Sequence, residues 1–337
     1  VDAQRVNGER VTLRDVAKVA GVATSTVSRV LSNPGRISPR TSEAVLKAAR
    51  DLGYDSARRR EVLTAGQSRS VALLVPDIGN PFYFDIIHGM QEQLKAAGYI
   101  QVLVDTEESA EVEESTLESM MSTSQGVILA ASRLSTNALK RAAERIPLVA
   151  LNRNDGGAPA VLIDATIGIH QAFQHLVSLD HRRIAFISGP EKSLSSQWRW
   201  QAFVDAAREH GVEAIRLGPY APKQTSGAAA ADAMLTSRAT ACIAFNDLLA
   251  IGMLRRFRVR GVRVPADVSI IGFDDIFGAD FCQPPLTTIT APIERAARVA
   301  TSMLLNRLDP GSSDARKMVR LPTYLTVRES TGMVAAR

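Results

Sequence analysis

From residue 70 onward the sequence alternates short runs rich in Val, Ile, Leu and Ala with longer stretches whose apolar residues recur at helical spacing. The short runs read as strands at Val71–Pro76, Ile100–Asp105, Val127–Ala130, Leu148–Leu151, Val161–Ile163, Ile184–Ser188, Cys242–Phe245 and Val268–Phe273, and Phe84–Ala97 and Ile169–Leu179 exemplify the helices between them. A strand that is apolar along its length must be covered on both faces. The helical connections supply that cover, so the pattern restricts this part of the chain to parallel α/β sheets. With 337 residues, 45% of them hydrophobic, the chain can bury a sizeable core and has room for two or three domains. Its longest apolar runs, VALLV at 71–75 and GVILAA at 126–131, fall far short of the roughly 18 residues expected of a membrane span. Cys242 and Cys282 are too few for a disulfide framework, and the opening VDAQRVNGER has no apolar stretch suited to a secretory signal, so a cytoplasmic location is expected.

Charge divides unevenly along the chain. Residues 1–70 carry 13 Lys and Arg against 7 Asp and Glu, whereas the remainder carries 27 against 28. The whole basic excess sits in the first fifth of the molecule, as expected of a nucleic-acid-binding module joined to a near-neutral body. Within that module Thr12 is placed to cap a helix whose apolar residues Leu13, Val16, Ala17 and Ala20 share a face, and Gly21 ends it. A second helix runs from Thr24 to Ser32, with Val27, Val30 and Leu31 on one face and Thr24, Ser25, Ser28 and Arg29 on the other. Asn33-Pro34-Gly35 breaks the chain before a third helix opened by Pro39 and packed through Val45, Ala48, Ala49 and Leu52. Three short helices with a tight turn between the first two form a helix-turn-helix unit, whose second helix can enter a major groove.

These residues resemble the DNA-binding head of the LacI/GalR family of bacterial transcription regulators. The likeness is carried by Leu13, Asp15-Val16-Ala17, Ala20-Gly21-Val22, Thr26-Val27-Ser28-Arg29-Val30-Leu31, Thr41 and Leu52-Gly53-Tyr54. It implies that Thr24, Ser25 and Arg29 read bases, since an Arg forks onto the O6 and N7 acceptors of guanine and short hydroxyls reach either partner of a pair. It also implies that Thr12 and Thr41 hold phosphates. Ala23 departs from the family's usual capping Ser, so capping is expected to fall to Thr24. Residues 56–69 match the hinge, where Leu63 takes the position of a Leu that the family wedges into the central base step in the minor groove. Ser56, Ala57, Arg60 and Glu61 differ from the usual hinge, and the bulk of Arg60 bears on hinge-to-hinge packing. Arg58, Arg59 and Arg60 suit phosphate contacts as well as groove readout.

The resemblance extends over the body, which is similar to periplasmic sugar-binding proteins: two α/β lobes joined by three crossovers with a ligand between them. The expected organisation is an arm at 1–11, a helix-turn-helix domain at 12–55, a hinge at 56–69, a ligand-binding and dimerisation core at 70–331 and a tail at 332–337. Lobe 1 would span about 70–164 and 291–320, and lobe 2 about 165–290 and 321–331. The ending LPTYLTVRES resembles the family's terminal strand and is followed by no heptad tail, which favours a homodimer on a pseudo-palindromic double-stranded operator.

Ligands of open parallel sheets sit beyond the carboxyl ends of the strands. Polar residues just past predicted strands are Asp77, Asn80 to Phe84, Asn152-Arg153, Asp164, Asn246-Asp247 and Asp274-Asp275. This mixture suits a polyol, because carboxylates and Asn accept from vicinal hydroxyls, Arg donates in a fork and an aromatic face covers the C–H side of a ring. By the resemblance the effector contacts are Phe82, Arg153, Arg199, Asn246 and Asp274, and Asn80-Pro81-Phe82-Tyr83 is similar to sensors of ribose, related pentoses and nucleosides. Asp247 is expected to cap the helix opened by Leu248, one of Trp198 and Trp200 to pack in the core, and the acidic run from Glu107 to Glu118 to be a solvated helix face. No serine-hydrolase elbow, phosphate loop, zinc-protease motif or dinucleotide fingerprint occurs, and the five His residues do not fall at zinc spacing. No enzyme activity, cofactor or metal is therefore expected. A sugar-converting enzyme would need an acid/base pair that the adjacent Asp274 and Asp275 do not provide, and a secreted sugar-binding protein would not carry the basic head.

Overall fold

The computed structural model describes residues 12–32, 38–52, 69–309 and 317–334. The expected arm at 1–11, and Arg58, Arg59, Arg60 and Leu63 of the expected hinge, lie outside the described residues. Two compact units make up the chain, one ending at Gln67 and the other beginning at Ser68.

In the first unit, helices α1 (Leu13–Ala20), α2 (Thr24–Ser32) and α3 (Pro39–Asp51) close on Val16, Ala17, Val27, Val30, Val45, Ala48 and Ala49. Thr12 precedes α1, and its backbone N–H and hydroxyl both donate to the Asp15 carboxylate at 2.7 and 2.6 Å. The hydroxyl contact holds the Asp15 carboxyl below its usual pKa. Gly21 ends α1 at φ 64°, in the left-handed region that a Cβ disfavours. The N–H groups of Thr26 and Val27 both bond the Ala23 carbonyl, which makes Ala23 the residue that caps α2. Thr24 is already helical and is not the cap, contrary to expectation.

The second unit contains two six-stranded sheets. The first holds β1 (Ser70–Val75), β2 (Ile100–Asp105), β3 (Gly126–Ala130), β4 (Leu148–Leu151), β5 (Ala160–Asp164) and β11 (Met318–Pro322), in the order β11-β5-β4-β3-β1-β2 with every pairing parallel. Helices α4 (Phe82–Ala96) and α11 (Ile293–Leu308) bury one face through Met90, Leu94, Ala297 and Leu304, while α5 (Ala110–Thr123) and α6 (Thr136–Arg145) bury the other through Leu117, Leu139 and Ala142. The second sheet holds β6 (Arg183–Ile187), β7 (Glu213–Leu217), β8 (Ala241–Ala244), β9 (Ser269–Asp274), β10 (Thr287–Thr290) and β12 (Tyr324–Thr326), in the order β12-β10-β9-β8-β6-β7. Only the short pairing of β12 with β10 is antiparallel. One face is covered by α7 (Thr166–Ser178) and α8 (Leu194–Glu209), the other by α9 (Gly227–Thr236) and α10 (Asp247–Val259). Three strands, β7, β10 and β11, were not among those expected, whereas β12 falls in the LPTYLTVRES ending expected as a terminal strand, and α4 and α7 start earlier than expected, at Phe82 and Thr166.

The chain passes between the sheets after β5, after β10 and between β11 and β12. Because β11 continues to Pro322, the last passage falls at Thr323, two residues past the expected boundary at 320. The N–H and hydroxyl of Thr323 donate to the Asp164 carbonyl at 3.1 and 2.9 Å, and the Gly168 N–H donates to Thr323 Oγ1 at 3.3 Å. A Cβ on Gly168 would come within 2.5 Å of Thr323 Oγ1 and collide with the Ile289 side chain. Only a glycine lets α7 start this close to the other two passages.

Candidate DNA-reading helix and effector cleft

The α2 turn that follows Gly21 leaves Thr24 and Ser25 exposed while Val27 and Val30 are buried. Arg29 lies on the same helix, but its side chain is outside the described residues. Thr41, in the first turn of α3, is half-buried and its hydroxyl meets Ser38 Oγ at 2.7 Å. Thr12 is exposed at the start of α1 with its hydroxyl turned onto Asp15.

In the second unit the carboxyl ends of both sheets face a cleft of about 1210 Å³, with a smaller inner cavity of about 50 Å³ beyond it. From the first sheet, the loop after β1 brings Asn80, whose side-chain oxygen accepts from the Phe82 N–H at 3.0 Å and sets the start of α4. Phe82 and Tyr83 are buried with their rings edge to face, 5.1 Å apart. From the second sheet, α8 presents Arg199, β8 leads into Asn246, and β9 ends in Asp274. Phe82, Arg199, Asn246 and Asp274 all line the inner cavity.

Arg199 and Asp274 form its buried polar centre. Arg199 Nη2 donates to Asp274 Oδ1 at 2.9 Å, and Nη1 donates to the Phe245 carbonyl. The guanidinium lies 3.5 Å from the Phe273 ring centroid and 4.8 Å from that of Phe245, so its faces meet aromatic rings while its edge is hydrogen-bonded. Burial raises the Asp274 pKa to about 6 against the lowering effect of Arg199, and burial lowers that of Arg199. Asp274 has φ 108°, a conformation costly for a residue with a Cβ, by about 1–3 kcal/mol, and of the kind that gathers at ligand sites.

Arg153 stands apart from this group. It lines the outer cleft, where its Nε and Nη2 clamp Asp155 at 2.5 and 2.8 Å and its Nη1 donates to the carbonyls of Ser132 and Leu134. This geometry makes Arg153 a strut across the strand ends, with one N–H left over. Asn246 has a double duty: its oxygen caps α10 by accepting from the Leu249 N–H at 3.0 Å, and its amide donates to the Pro222 carbonyl at 3.1 Å. The cap is therefore Asn246 and not Asp247. Asp247 is fully buried behind the cavity, accepting from the Ile276 N–H at 2.9 Å and the Thr288 hydroxyl at 2.6 Å. Burial and the nearby Asp274 push its pKa up to about 8. Asp275 pairs with Arg328 at 2.7 Å and Trp200 stacks on Phe203, so both serve structure. In the acidic run, Glu111, Glu114 and Glu118 are exposed as expected, but Glu113 is buried and accepts from the Arg133 N–H at 2.6 Å.

Residues that the sequence reading did not single out also line the inner cavity, Arg133, Ser193 and Ser195, and so does Glu108, which was expected on a solvated helix face but precedes the helix and pairs with Arg133. Arg133 follows β3 as Asn152 follows β4, so the strand-end rule would have found it. Ser193 and Ser195, at the start of α8, carry no such signal. The cleft is charge-balanced: Arg133, Arg153, Lys192, Arg199 and Lys223 face Glu108, Glu111, Asp155, Glu191 and Asp274. Four of these cations are paired, Arg133 with Glu108 at 2.6 Å, Arg153 with Asp155 at 2.5 Å, Arg199 with Asp274 at 2.9 Å and Lys223 with Asp77 at 3.5 Å.

Residues 12–56 match the family model described as bacterial regulatory proteins, lacI family, and residues 173–331 match a periplasmic binding protein-like domain. The HTH-type transcriptional regulator DegA of Bacillus subtilis (strain 168) is 34% identical over 334 residues, covering 96% of this chain and 98% of that protein. Among solved structures, a complex of the transcriptional regulator CelR with cellobiose is 32% identical and superposes with a TM-score of 0.70 over 95% of this chain and 100% of that one. The lac repressor dimer bound to operator and an anti-inducer is 25% identical, with a TM-score of 0.71 over 96% and 100% of the two chains. No described helix is long and apolar enough to cross a membrane. A helix-turn-helix head ahead of two parallel-sheet lobes, with relatives matched over nearly their full length, places this chain in the lacI family of bacterial regulatory proteins, as a DNA-binding transcriptional regulator under ligand control.

Proposed function

We propose that this protein is a cytoplasmic repressor that binds a pseudo-palindromic operator as a homodimer and releases or tightens it in response to an uncharged, carbohydrate-like effector. The observation that carries the effector class is the charge balance of the cleft. A phosphorylated effector needs cations free to meet it, whereas the Arg groups here are held by carboxylates or backbone carbonyls. A neutral sugar or nucleoside instead uses what those pairs leave open: the spare lone pairs of Asp274, the remaining N–H groups and the apolar faces of Phe82 and Phe245. Phe82, Arg199, Asn246 and Asp274 form the inner contacts in this reading, and Arg153 meets the outer part of the ligand through its remaining N–H. Thr24, Ser25 and Arg29 read bases, Thr12, Thr41, Arg58 and Arg59 hold the backbone, and Arg60 and Leu63 enter the minor groove.

The effector is bound and not converted. Asp247, the other buried acid next to Asp274, has its oxygens engaged by Ile276 and Thr288, so it is not free to act as the second member of an acid/base pair. A thermal-shift screen of neutral monosaccharides, disaccharides, nucleosides and sugar phosphates tests the reading. A neutral ligand present at 100 times its Kd should stabilise the protein by about 2.7 kcal/mol. Preferential stabilisation by a sugar phosphate would overturn the neutral-effector assignment, and an effector that leaves operator affinity unchanged would overturn its regulatory role.

A further inference from the structure

Helices α7 and α8 pack side by side over the second sheet, with the rings of Phe173 and Phe203 edge to face at 4.8 Å. Where α8 stops, this seam brings together His170 of α7 and Glu209 and His210 at the α8 terminus. His170 Nδ1 lies 3.1 Å from Glu209 Oε2, and one ligand atom from each of the three side chains lies within 4.8 Å of the others. The His210 ring is parallel to Phe173, at 8° and 6.3 Å, which fixes its plane. Its Nε2 is buried without a hydrogen-bond partner.

The geometry points to a divalent transition-metal site of zinc type, held by His170, Glu209 and His210. Two imidazoles and one carboxylate fill three places of a tetrahedron and leave the fourth to water, a donor set that suits zinc and not the all-oxygen preference of calcium or magnesium. Metal bonds of about 2.0–2.1 Å put tetrahedral ligand atoms about 3.3 Å apart. The His170 and Glu209 atoms already have nearly that spacing. Glu209 is exposed, so its carboxylate turns toward the third ligand at small cost in packing. The cation would stand at the carboxyl end of α8, where unsatisfied carbonyls carry partial negative charge and favour it. An orphaned buried ring nitrogen is costly, and a metal bond made by Nε2 itself would remove that cost. None of the three residues lines the effector cleft. Arg199 does, and it sits about 16 Å back along the same helix, so the ion fixes the far end of the element that presents Arg199.

The test uses the full-length chain, stripped with a chelator and titrated with Zn²⁺ by calorimetry and with Co²⁺ by visible absorption. One equivalent should bind per chain, and the Co²⁺ form should show the intense absorption of a four-coordinate site. His170→Ala, Glu209→Gln and His210→Ala should each weaken binding by more than about 10–100-fold, the loss typical of removing even an outer partner of a metal ligand. His88→Ala, on exposed α4 surface, should leave it unchanged. If His210→Ala does not fold by circular dichroism, His170→Ala and Glu209→Gln decide. Absence of a one-equivalent site, or undiminished binding in those variants, would leave only the polar contact between His170 and Glu209 and overturn the assignment.

Discussion

Removing the carboxylate of Asp274 strands the guanidinium of Arg199 in the protein interior. The two side chains are only 6% and 8% exposed, so water cannot replace the lost partner. Breaking one member of a buried pair costs about 3–5 kcal/mol, because the remaining charge is left uncompensated. Asp274→Ala should therefore lower unfolding stability by that amount in guanidinium titrations, and φ 108° gives no relief, since alanine tolerates that conformation no better. The double variant Arg199→Met with Asp274→Leu removes both charges and keeps apolar contact with Phe245 and Phe273, so it should recover most of the stability. Effector binding should not recover. A hydrogen bond to a charged group is worth about 1.5–3 kcal/mol, so effector Kd should rise roughly 10–150-fold in Asp274→Ala and at least as far in the double variant. Calorimetry with the saccharide selected by the screen, run beside operator binding by fluorescence anisotropy without ligand, separates the two effects. A double variant as unstable as the single one would show that the pair's charges are not what its stability rests on. Undiminished effector binding by the double variant would remove both residues from the sensor site.

Asp247 has a folded-state pKa of about 8, above its ordinary value of 3.8, so the native state holds its proton where the unfolded chain has lost it. Stability should accordingly fall as pH rises between about 4 and 8 and level off above, and Asp247→Asn, a permanently neutral mimic, should remove much of that slope in chemical denaturation at stepped pH. A slope unchanged in the variant would assign it to other groups. Gly168→Ala should destabilise by about 1–3 kcal/mol through overpacking against Thr323 and Ile289, read as a lower denaturation midpoint; a neutral effect would mean that the inter-lobe passages yield freely. On DNA, Arg29→Ala should cost about 1–3 kcal/mol and relax preference at one position of each half-site, whereas Arg58→Ala should weaken all duplexes alike and flatten the salt dependence by about one unit for each phosphate no longer neutralised. Binding-site selection and salt titrations distinguish these, and an intact preference in Arg29→Ala would refute base reading by α2.

How well the sequence could be read depended on how each element is buried. The central strands β1, β3, β4 and β8 are covered on both faces and announce themselves as unbroken apolar runs. The unanticipated strands β7, β10 and β11 lack that signal, as does β12, which only the family likeness pointed to. EAIRL of β7 is an edge strand with exposed charged residues, TTIT of β10 buries two of its three threonines, and β11 and β12 have exposed positions, β12 with a ladder of only three pairs. The site divides along similar lines. Strand-end position and family likeness together led to Phe82, Arg199, Asn246 and Asp274, which the structure brings to one cavity. Pattern alone gave no view of which hydrogen bonds were already committed. Arg153 also donates to the Ser132 and Leu134 carbonyls and Asn246 to that of Pro222, partners that approach from distant loops, whereas Asp155 and the α10 cap lie only two and three residues away. His170 and His210 are forty residues apart and meet only because α7 and α8 run side by side.

The order of strands in the first sheet also sets a timetable for synthesis. Residues 70–164 supply five of its six strands, yet β3, β4 and β5 rest one face on α11, whose Ala297, Ala300 and Leu304 belong to the same core cluster. Every strand of the second sheet except β12 must be translated before that helix exists. At roughly 5–20 residues per second, the intervening stretch of about 140 residues takes roughly 7–30 s, during which the part of that sheet face not covered by α4 has no native cover. The second lobe waits less, for its last strand is the three-residue β12. Nascent chains stalled before residue 293 should therefore be cut readily by protease within residues 70–164, and chains stalled well after residue 322 should resist. Equal resistance in both would mean that the first lobe closes over its own core before its last helix is made.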